Sequence, residues 1–190
     1  MGDTCLKKMI LDKFYGGIED QAIAITHGAI GAIDIIFRLT LSEGAEVLLP
    51  DPGFPPYEQL ANFTKASVKK YNLQFLNAEQ TINWDEVRSL ITNRTKLMVI
   101  NTPHNPTGRV FTQKDKLEFE SLLIDFPGLM FVVDEVYREL IFDERSSMSF
   151  NHLLSRGFVV GSFSKMYPLQ GARVGWLVTD NEKMKKIIPY

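Results

Sequence analysis

The segment GSFSKMYPLQGARVG, residues 161–175, concentrates residue types that can do chemistry. Ser162, Lys165 and Arg173 follow an apolar run, and no other charged residue lies between the lysine and the arginine. Lys165 can be interpreted as a surface residue, a phosphate contact or a nucleophile. A lysine that is desolvated or near other cations has a lowered pKa, and its free amine can attack a carbonyl group. Ser162 and Arg173 have side chains that commonly bind a phosphate group.

Two further segments place polar side chains directly after strand-like runs. In "DEVYREL", Asp134 follows the apolar run LMFVV and is positioned to pair with a cation, with Tyr137 three residues later. Nucleotide hydrolases have a similar acidic strand end, but they also need a G-x-x-x-x-G-K-[ST] loop, and this sequence contains no Gly-Lys pair. In "NTPHNPTG", Asn105 precedes Pro106, and its amide can donate to a ligand oxygen. Asn and Pro also build turns for purely local reasons, so both interpretations stay open.

Two segments nearer the amino terminus supply small and aromatic residues. "THGAIG" places Gly28 and Ala29 at the start of a predicted helix, where bare N–H groups and the helix dipole favour an anion. The pattern also fits an ordinary turn, and it is not the dinucleotide fingerprint G-x-G-x-x-G. In "PDPGFPPYEQL", rigid prolines present Phe54, and one helical step later Tyr57, to a flat ligand. A place in the core would explain Phe54 equally well.

The elements that position these residues alternate along the chain. Predicted strands are QAIAI (21–25), AEVLLP (45–50), SVKKYNL (67–73), KLMVIN (96–101), LMFVVD (129–134), GFVVGS (157–162) and RVGWLV (173–178). Predicted helices are GAIDIIFRL, PYEQLANFTKA, NWDEVRSLI, TQKDKLEFESLLIDF and NEKMKKII. Several strands are apolar throughout and should be covered on both faces, which indicates an α/β fold with a mainly parallel sheet. Ligands of such sheets bind beyond the carboxyl ends of the strands, so the polar segments should meet there.

Composition narrows the class of protein. The chain has 190 residues, of which 45% are hydrophobic and 23% are charged, as expected for one soluble globular domain. A net charge of -2 argues against nucleic acid as a partner, and no apolar run is long enough to predict a membrane span. The single cysteine, Cys5, cannot form an internal disulfide. This favours a reducing compartment, and we expect the cytoplasm. His and Cys residues form no metal-ligand pattern, so no metal is expected.

Together these features suggest a phosphate cradle, an aromatic platform, an acid for a ring nitrogen and an amine for an aldehyde. Pyridoxal 5′-phosphate carries all four complementary groups. The segments "NTPHNPTG", "DEVYREL" and "SFSKMYPLQGARVGW", in this order, resemble the signature segments of the class I/II aminotransferases, the fold-type I pyridoxal-phosphate enzymes. The resemblance covers nearly the whole chain. It implies a three-layer α/β/α architecture with a mainly parallel, mixed sheet, a homodimer, and transfer of an amino group from an amino acid to a 2-oxo acid.

The resemblance also implies a role for each residue around the cofactor ring. Lys165 would be the catalytic residue, which forms a Schiff base with the cofactor and moves the proton at the substrate Cα. Asp134 would pair with the pyridinium nitrogen. Asn105 and Tyr137 would hydrogen-bond the phenolic oxygen, and Phe54 would stack on the ring.

The phosphate group would be held at the other end of the cofactor. The resemblance implies contacts from the Ser162 and Arg173 side chains and from the backbone N–H groups of Ala29 and Ile30. The family often has Ser, Thr or Lys near the position of Ile30. Ile30 offers only its N–H, so the side-chain contact to the phosphate that the family often makes here is not expected.

The resemblance further implies that residues 1–190 form a cofactor-binding large domain without the family's N-terminal arm and C-terminal small domain. That small domain carries the arginine that binds the substrate α-carboxylate. The arginines interpreted here as solvated or structural are Arg88, Arg94, Arg138, Arg145 and Arg156. The parent protein is therefore expected to be an aminotransferase. The isolated chain is expected to be a cofactor-binding fragment without turnover. Another pyridoxal-phosphate reaction on the same fold, such as β-elimination or decarboxylation, is a further alternative.

Overall fold

An eight-stranded mixed sheet forms the centre of the part of the chain that the computed structural model describes, residues 2–16, 22–76, 79–142 and 148–187. The strands are β1 (Ile23–His27), β2 (Glu46–Asp51), β3 (Ser67–Leu76), β4 (Glu79–Ile82), β5 (Thr95–Asn101), β6 (Met130–Asp134), β7 (Gly157–Ser162) and β8 (Val174–Val178). Their order is β1-β8-β7-β6-β5-β2-β3-β4. The central run from β7 to β3 is parallel, whereas β8 is antiparallel to both of its neighbours and β4 is antiparallel to β3. The predicted mainly parallel, mixed sheet is confirmed.

Helices cover both faces of this sheet. They are α1 (Thr4–Ile10), continued by a π-helix (Leu11–Tyr15), α2 (Gly28–Thr40), α3 (Pro55–Phe63), α4 (Trp84–Leu90), α5 (Gln113–Asp125), α6 (Phe163–Met166) and α7 (Asn181–Ile187). Alternate residues of β5 point to opposite faces. Leu97 and Val99 belong to the apolar cluster formed with α2, α3 and α7, whereas Met98 and Ile100 belong to the cluster formed with α1, α4 and α5. Because successive strand side chains point to opposite faces, both faces of an apolar strand are buried, which gives the predicted three layers.

The predicted strands and helices are present with small shifts at their ends. Sequence reasoning did not predict β4, a short edge strand of sequence EQTI that lacks an apolar run and pairs with β3. It also did not predict α1. The available signal was Asp3, whose side chain accepts the Leu6 N–H at 2.8 Å and caps the helix. No helix within the described ranges is long and apolar enough to cross a membrane.

The strand directions bring several loops to one edge of the sheet. The carboxyl ends of β2, β5, β6 and β7 meet there because these strands are parallel. β1 is antiparallel to β8, which is antiparallel to β7, so the end of β1 lies at the same edge. β8 begins there, and its Gly175 is paired with both Thr26 and Ser162. The start of α2, the loop after β7 and the approach to β8 are therefore neighbours.

Candidate active site

A cavity of about 330 Å³ opens at the carboxyl edge of the sheet. All nine site residues predicted from the sequence line it: Ala29, Ile30, Phe54, Asn105, Asp134, Tyr137, Ser162, Lys165 and Arg173. They come from the start of α2, the β2–α3 turn, the last residues of β6 and β7, and the segments that follow β5, β6 and β7. The structure thus brings the predicted residues together around one space, and their binding roles stay predictions.

Asp134 is the most enclosed acidic group of the cavity wall. It ends β6 and is 3% exposed. The Tyr57 hydroxyl donates to its Oδ2 at 2.6 Å, and the Val136 N–H donates to its Oδ1 at 3.1 Å. Burial raises the pKa of Asp134 to about 6, although the two donors oppose this effect. A buried carboxylate with two donors and an open cavity beside it is suited to bind a cationic group.

The turn between β5 and α5 is attached to β6 through Asn101. Its side-chain Nδ2 donates to the Asp134 carbonyl at 3.0 Å, and its Oδ1 accepts the Asn105 N–H at 2.7 Å. These bonds place Asn105 in the cavity wall. Asn101 also lines the cavity and was not singled out from the sequence. The available signal was its position as the last residue of a predicted strand.

The aromatic wall is formed by Phe54 and by the turn after β6. Phe54 is half-buried and packs edge to face on Tyr57, with ring centroids 5.5 Å apart and an interplanar angle of 83°. Tyr137 is also half-buried and lines the cavity, and burial together with the charge of Asp134 raises its pKa. Tyr57, which the sequence placed at the ligand edge, also lines the cavity. Its residue is 1% exposed, and its hydroxyl donates to Asp134.

Opposite the aromatic wall, glycines allow the approach to β8 and the start of α2 to lie close together. A Cβ added to Gly175 would overlap the backbone of Gly28 and Ala29. A Cβ added to Gly28 would lie 2.5 Å from the guanidinium of Arg173, and Gly28 itself has a φ of +68°, which favours glycine. The approach to β8 therefore packs directly on the first turn of α2. The guanidinium of Arg173 and the N-terminal N–H groups of α2 lie side by side, a suitable arrangement for an anion.

The two serines before Lys165 have different environments. Ser162 is 2% exposed. Its hydroxyl accepts the Ser164 N–H at 3.1 Å, which caps α6, and lies within donating distance of the Ser164 hydroxyl and the Val174 carbonyl. Ser164 lines the cavity as well, and its hydroxyl accepts from Arg173 Nη1 at 3.4 Å. Ser164 was not selected from the sequence, although it lies two residues after Ser162 in the same S-x-S-K stretch.

Lys165 lies in α6 on the cavity wall and is exposed. A lysine becomes a better nucleophile when it is desolvated, but the described part of the chain does not bury Lys165. Any desolvation of this amine would have to come from a bound ligand or another polypeptide segment. In the described residues, no group of three or more His, Cys, Asp or Glu side chains is placed to hold a metal ion.

Five other arginines engage partners away from the cavity. Arg88 contacts Glu118 and Asp125, Arg94 pairs with Glu46, Arg138 pairs with Glu135, Arg156 donates to the carbonyls of Leu123, Phe126 and Leu129, and Arg109 pairs with Asp115. This fits the interpretation of Arg88, Arg94, Arg138 and Arg156 as structural or solvated. Arg145 lies outside the described residues. Within the described part of the chain, Arg173 is the one arginine that lines the cavity.

The buried carboxyl of Glu135, next to Asp134, should make the free energy of unfolding depend on pH. It is 2% exposed, and burial raises its pKa to about 7, with Asp134 adding to the effect and Arg138, at 2.7 Å, opposing it. Between about pH 4.5 and 7, the Glu135 carboxyl therefore keeps its proton in the folded state but has lost it in the unfolded chain. The stabilisation is complete below the unfolded pKa and is lost as the pH rises through 7, at a cost of roughly 3 kcal/mol. Denaturant titrations between about pH 4.5 and 8 should show this decline.

Glu135→Gln cannot ionise but can still accept from Arg138. It should flatten much of this decline. Glu139→Gln, at an exposed position of the same loop, is the matched control and should keep the wild-type slope. If the Glu135 variant retains the full decline, this carboxyl is not the source.

Comparison with known proteins gives the family. The family model for class I and II aminotransferases matches residues 2–188 of the chain. The chain belongs to the class I and II aminotransferases. This family depends on pyridoxal 5′-phosphate.

Curated members of the aminotransferase family are similar over nearly all of this chain. It is 30% identical over 184 residues to the probable aspartate aminotransferase of Methanocaldococcus jannaschii, covering 96% of the chain and 47% of the relative. It is 30% identical over 196 residues to human kynurenine–oxoglutarate transaminase 1, covering 94% of the chain and 46% of the relative. The chain thus spans about half the length of the curated relatives it matches.

Solved aminotransferase structures share the fold. YbdL from Escherichia coli, for which a methionine aminotransferase function was identified, superimposes with a TM-score of 0.89 at 28% identity. That match covers 98% of this chain and 50% of the other. The sheet and its helices are therefore those of an aminotransferase.

Proposed function

We propose that residues 1–190 form the cofactor-binding large domain of a pyridoxal-phosphate-dependent aminotransferase, which transfers an amino group from an amino acid to a 2-oxo acid. The observation that carries this proposal is the single cavity lined by the Lys165 amine, the buried Asp134 carboxylate, the half-buried Phe54 ring and Arg173. When bound, pyridoxal phosphate supplies an aldehyde and a ring that withdraws electrons from the substrate.

The residues present fit this cofactor. Because Gly28 has no Cβ, the guanidinium of Arg173 can lie beside the first turn of α2, and Arg173, Ala29 and Ile30 all line the cavity, where they can bind an anion. At the ring, Asp134 already accepts two hydrogen bonds and still lines the cavity. An acid, an aromatic face and an anion site around one space are what a phosphorylated, protonated pyridine ring requires.

The proposed roles at the ring follow from these positions. Lys165 would hold the cofactor through Nζ, and as a free amine it would move the proton at the substrate Cα. Asp134 keeps the ring nitrogen protonated, because a buried carboxylate strongly favours a cation beside it. Asn105 and Tyr137 hydrogen-bond the phenolic oxygen, and Phe54 covers one face of the ring. All five residues line the cavity.

The phosphate is proposed to bind at the start of α2. Arg173 supplies its guanidinium, and Ala29 and Ile30 supply backbone N–H groups. Ser162 is proposed as a further ligand, and its hydroxyl would exchange part of its present bonding to Ser164 and the backbone for the phosphate. Ile30 contributes no polar side chain.

For the isolated chain we propose cofactor binding without efficient turnover. In the described residues, Arg173 is the one arginine on the cavity wall, and it is assigned to the phosphate. Among the described residues, that wall therefore offers no second arginine to hold the substrate α-carboxylate. Orientation of the substrate contributes much of an enzyme's rate, so the loss of this orientation should lower turnover strongly.

Partner and compartment are part of the same proposal. We propose a homodimer in the cytoplasm that acts in amino acid metabolism, including biosynthesis. Exposed apolar side chains such as Met9 (63%), Leu169 (47%) and Phe142 (90%) are consistent with a covered surface in an assembly. The free, exposed Cys5 is consistent with a reducing compartment.

The test is a binding and turnover assay on the chain as given. Titration with pyridoxal phosphate should give saturable binding with a change in the cofactor's absorbance. Addition of glutamate, aspartate or alanine with a 2-oxo acid should give turnover at least about 100-fold below that of a full-length class I/II aminotransferase assayed in parallel. Lack of saturable binding would contradict the cofactor proposal. Turnover equal to the full-length control would show that the chain holds a carboxylate-binding group.

A further inference from the structure

A short, buried hydrogen bond between two cavity-lining residues joins positions 77 apart in the chain, Tyr57 in α3 and Asp134 at the end of β6. The Tyr57 hydroxyl donates to Asp134 Oδ2 at 2.6 Å. Tyr57 is 1% exposed and Asp134 is 3% exposed, so water competes little for this bond. A hydrogen bond to a charged acceptor that is shielded from water is among the stronger ones in proteins.

The geometry of this bond determines which way the carboxylate faces. Tyr57 binds Oδ2, whereas the Val136 N–H binds Oδ1 at 3.1 Å. The two donors approach different oxygens, so rotation of the carboxylate about its Cβ–Cγ bond breaks both bonds. The Tyr57 ring is itself held in the core, where it packs edge to face on Phe54. Tyr57 thus connects the aromatic wall of the cavity to its acid.

We propose that Tyr57 is a positioning residue, whose hydroxyl holds the Asp134 carboxylate ionised and oriented towards the cationic ring nitrogen of the cofactor. This inference rests on the proposed function. Tyr57 does not itself have to touch the cofactor ring nitrogen. It acts through Asp134.

The protonation of Tyr57 supports its role as a constant donor. Burial, reinforced by the charge of Asp134, raises the pKa of Tyr57 well above 10, so its hydroxyl keeps its proton at any physiological pH. The other titratable or charged groups around Asp134 are Tyr15 of the π-helix, Glu135 and Tyr137 in the same loop, and Lys165 and Arg173 in the cavity wall. In the described structure, the side-chain donor to the Asp134 carboxylate is Tyr57.

The first experiment needs no cofactor. The chain is labelled with ¹³C at aspartate Cγ, and the Asp134 signal is assigned by its loss in Asp134→Asn. Tyr57→Phe should move the Asp134 titration midpoint upward by about one pH unit, because the ionised form loses a donor. Tyr71→Phe is the matched control. It removes another buried hydroxyl, which donates to the Val99 carbonyl at 2.8 Å, and it should leave the midpoint in place.

The second experiment measures the dissociation constant of pyridoxal phosphate. Tyr57→Phe should weaken binding about tenfold, whereas Tyr71→Phe should not. In an Asp134→Asn background, the same Tyr57→Phe change should raise the dissociation constant little further, because the two residues act as a unit.

The outcomes separate this inference from the proposed function. A wild-type chain that does not bind pyridoxal phosphate contradicts the proposed function, and the cofactor-free titration then decides whether Tyr57 holds Asp134. An unchanged Asp134 midpoint in Tyr57→Phe overturns the inference even if the cofactor binds. An equal loss of affinity in the wild-type and Asp134→Asn backgrounds also overturns it, because Tyr57 would then act by another route.

Discussion

Replacing Lys165 with alanine is expected to abolish covalent attachment of pyridoxal phosphate to the chain. Lys165 is the lysine among the described cavity-lining residues, and an amine in reach of the bound aldehyde is what attachment requires. The phosphate and ring contacts remain, so weak non-covalent binding should persist. Borohydride reduction followed by peptide mass mapping should label Lys165 in the wild-type chain and leave the variant unlabelled.

Two control variants sharpen the Lys165 experiment. Lys165→Arg keeps a positive charge and a long side chain but should also prevent attachment, since a guanidinium is not a free amine. Lys13→Ala removes an amine that lies 5.4 Å from the ring centroid of Tyr167, near the same loop but outside the cavity. Its labelling should match that of the wild-type chain. A label on another lysine in the wild-type chain would contradict the assignment of Lys165.

Asp134→Asn is expected to weaken binding of pyridoxal phosphate about 100-fold while leaving the fold intact, because the lost bond is one between charged groups. The amide has nearly the same shape and can still accept from Tyr57. It carries no negative charge, so it cannot hold a proton on the ring nitrogen. The dissociation constant, measured from the absorbance of bound cofactor, reports this loss. Circular dichroism checks the fold.

Asp51→Asn is the matched control for Asp134. Asp51 also ends a strand at the same edge of the sheet, but it is exposed and lies outside the cavity wall. Its substitution should leave the dissociation constant unchanged. If Asp134→Asn binds the cofactor as tightly as the wild-type chain, Asp134 is not the partner of the ring nitrogen.

The location of the site could be predicted because the ends of the strands can be recognised in the sequence. Asp134 and Ser162 each end a run of apolar residues, and such runs are strands when both faces of a sheet are covered. Parallel strands bring their carboxyl ends to one edge, so residues far apart in the chain meet there. Lys165 follows one of these strands by only three positions, and Phe54 follows another in the same way. Short connections leave such residues little freedom to lie elsewhere.

The sequence indicated the family and many of the residues that line the cavity, but the tertiary structure alone decided how those residues contact one another. Arg173 reaches the cavity because β8 runs antiparallel and starts at the carboxyl edge, a direction that local pattern does not specify. The bond between Tyr57 and Asp134 depends on how α3 packs against β2 and β3, and the exposure of Lys165 depends on what covers α6. Strand order, helix packing and exposure arise from contacts between distant segments. Composition and periodicity describe each segment separately, so they do not predict contacts between distant segments.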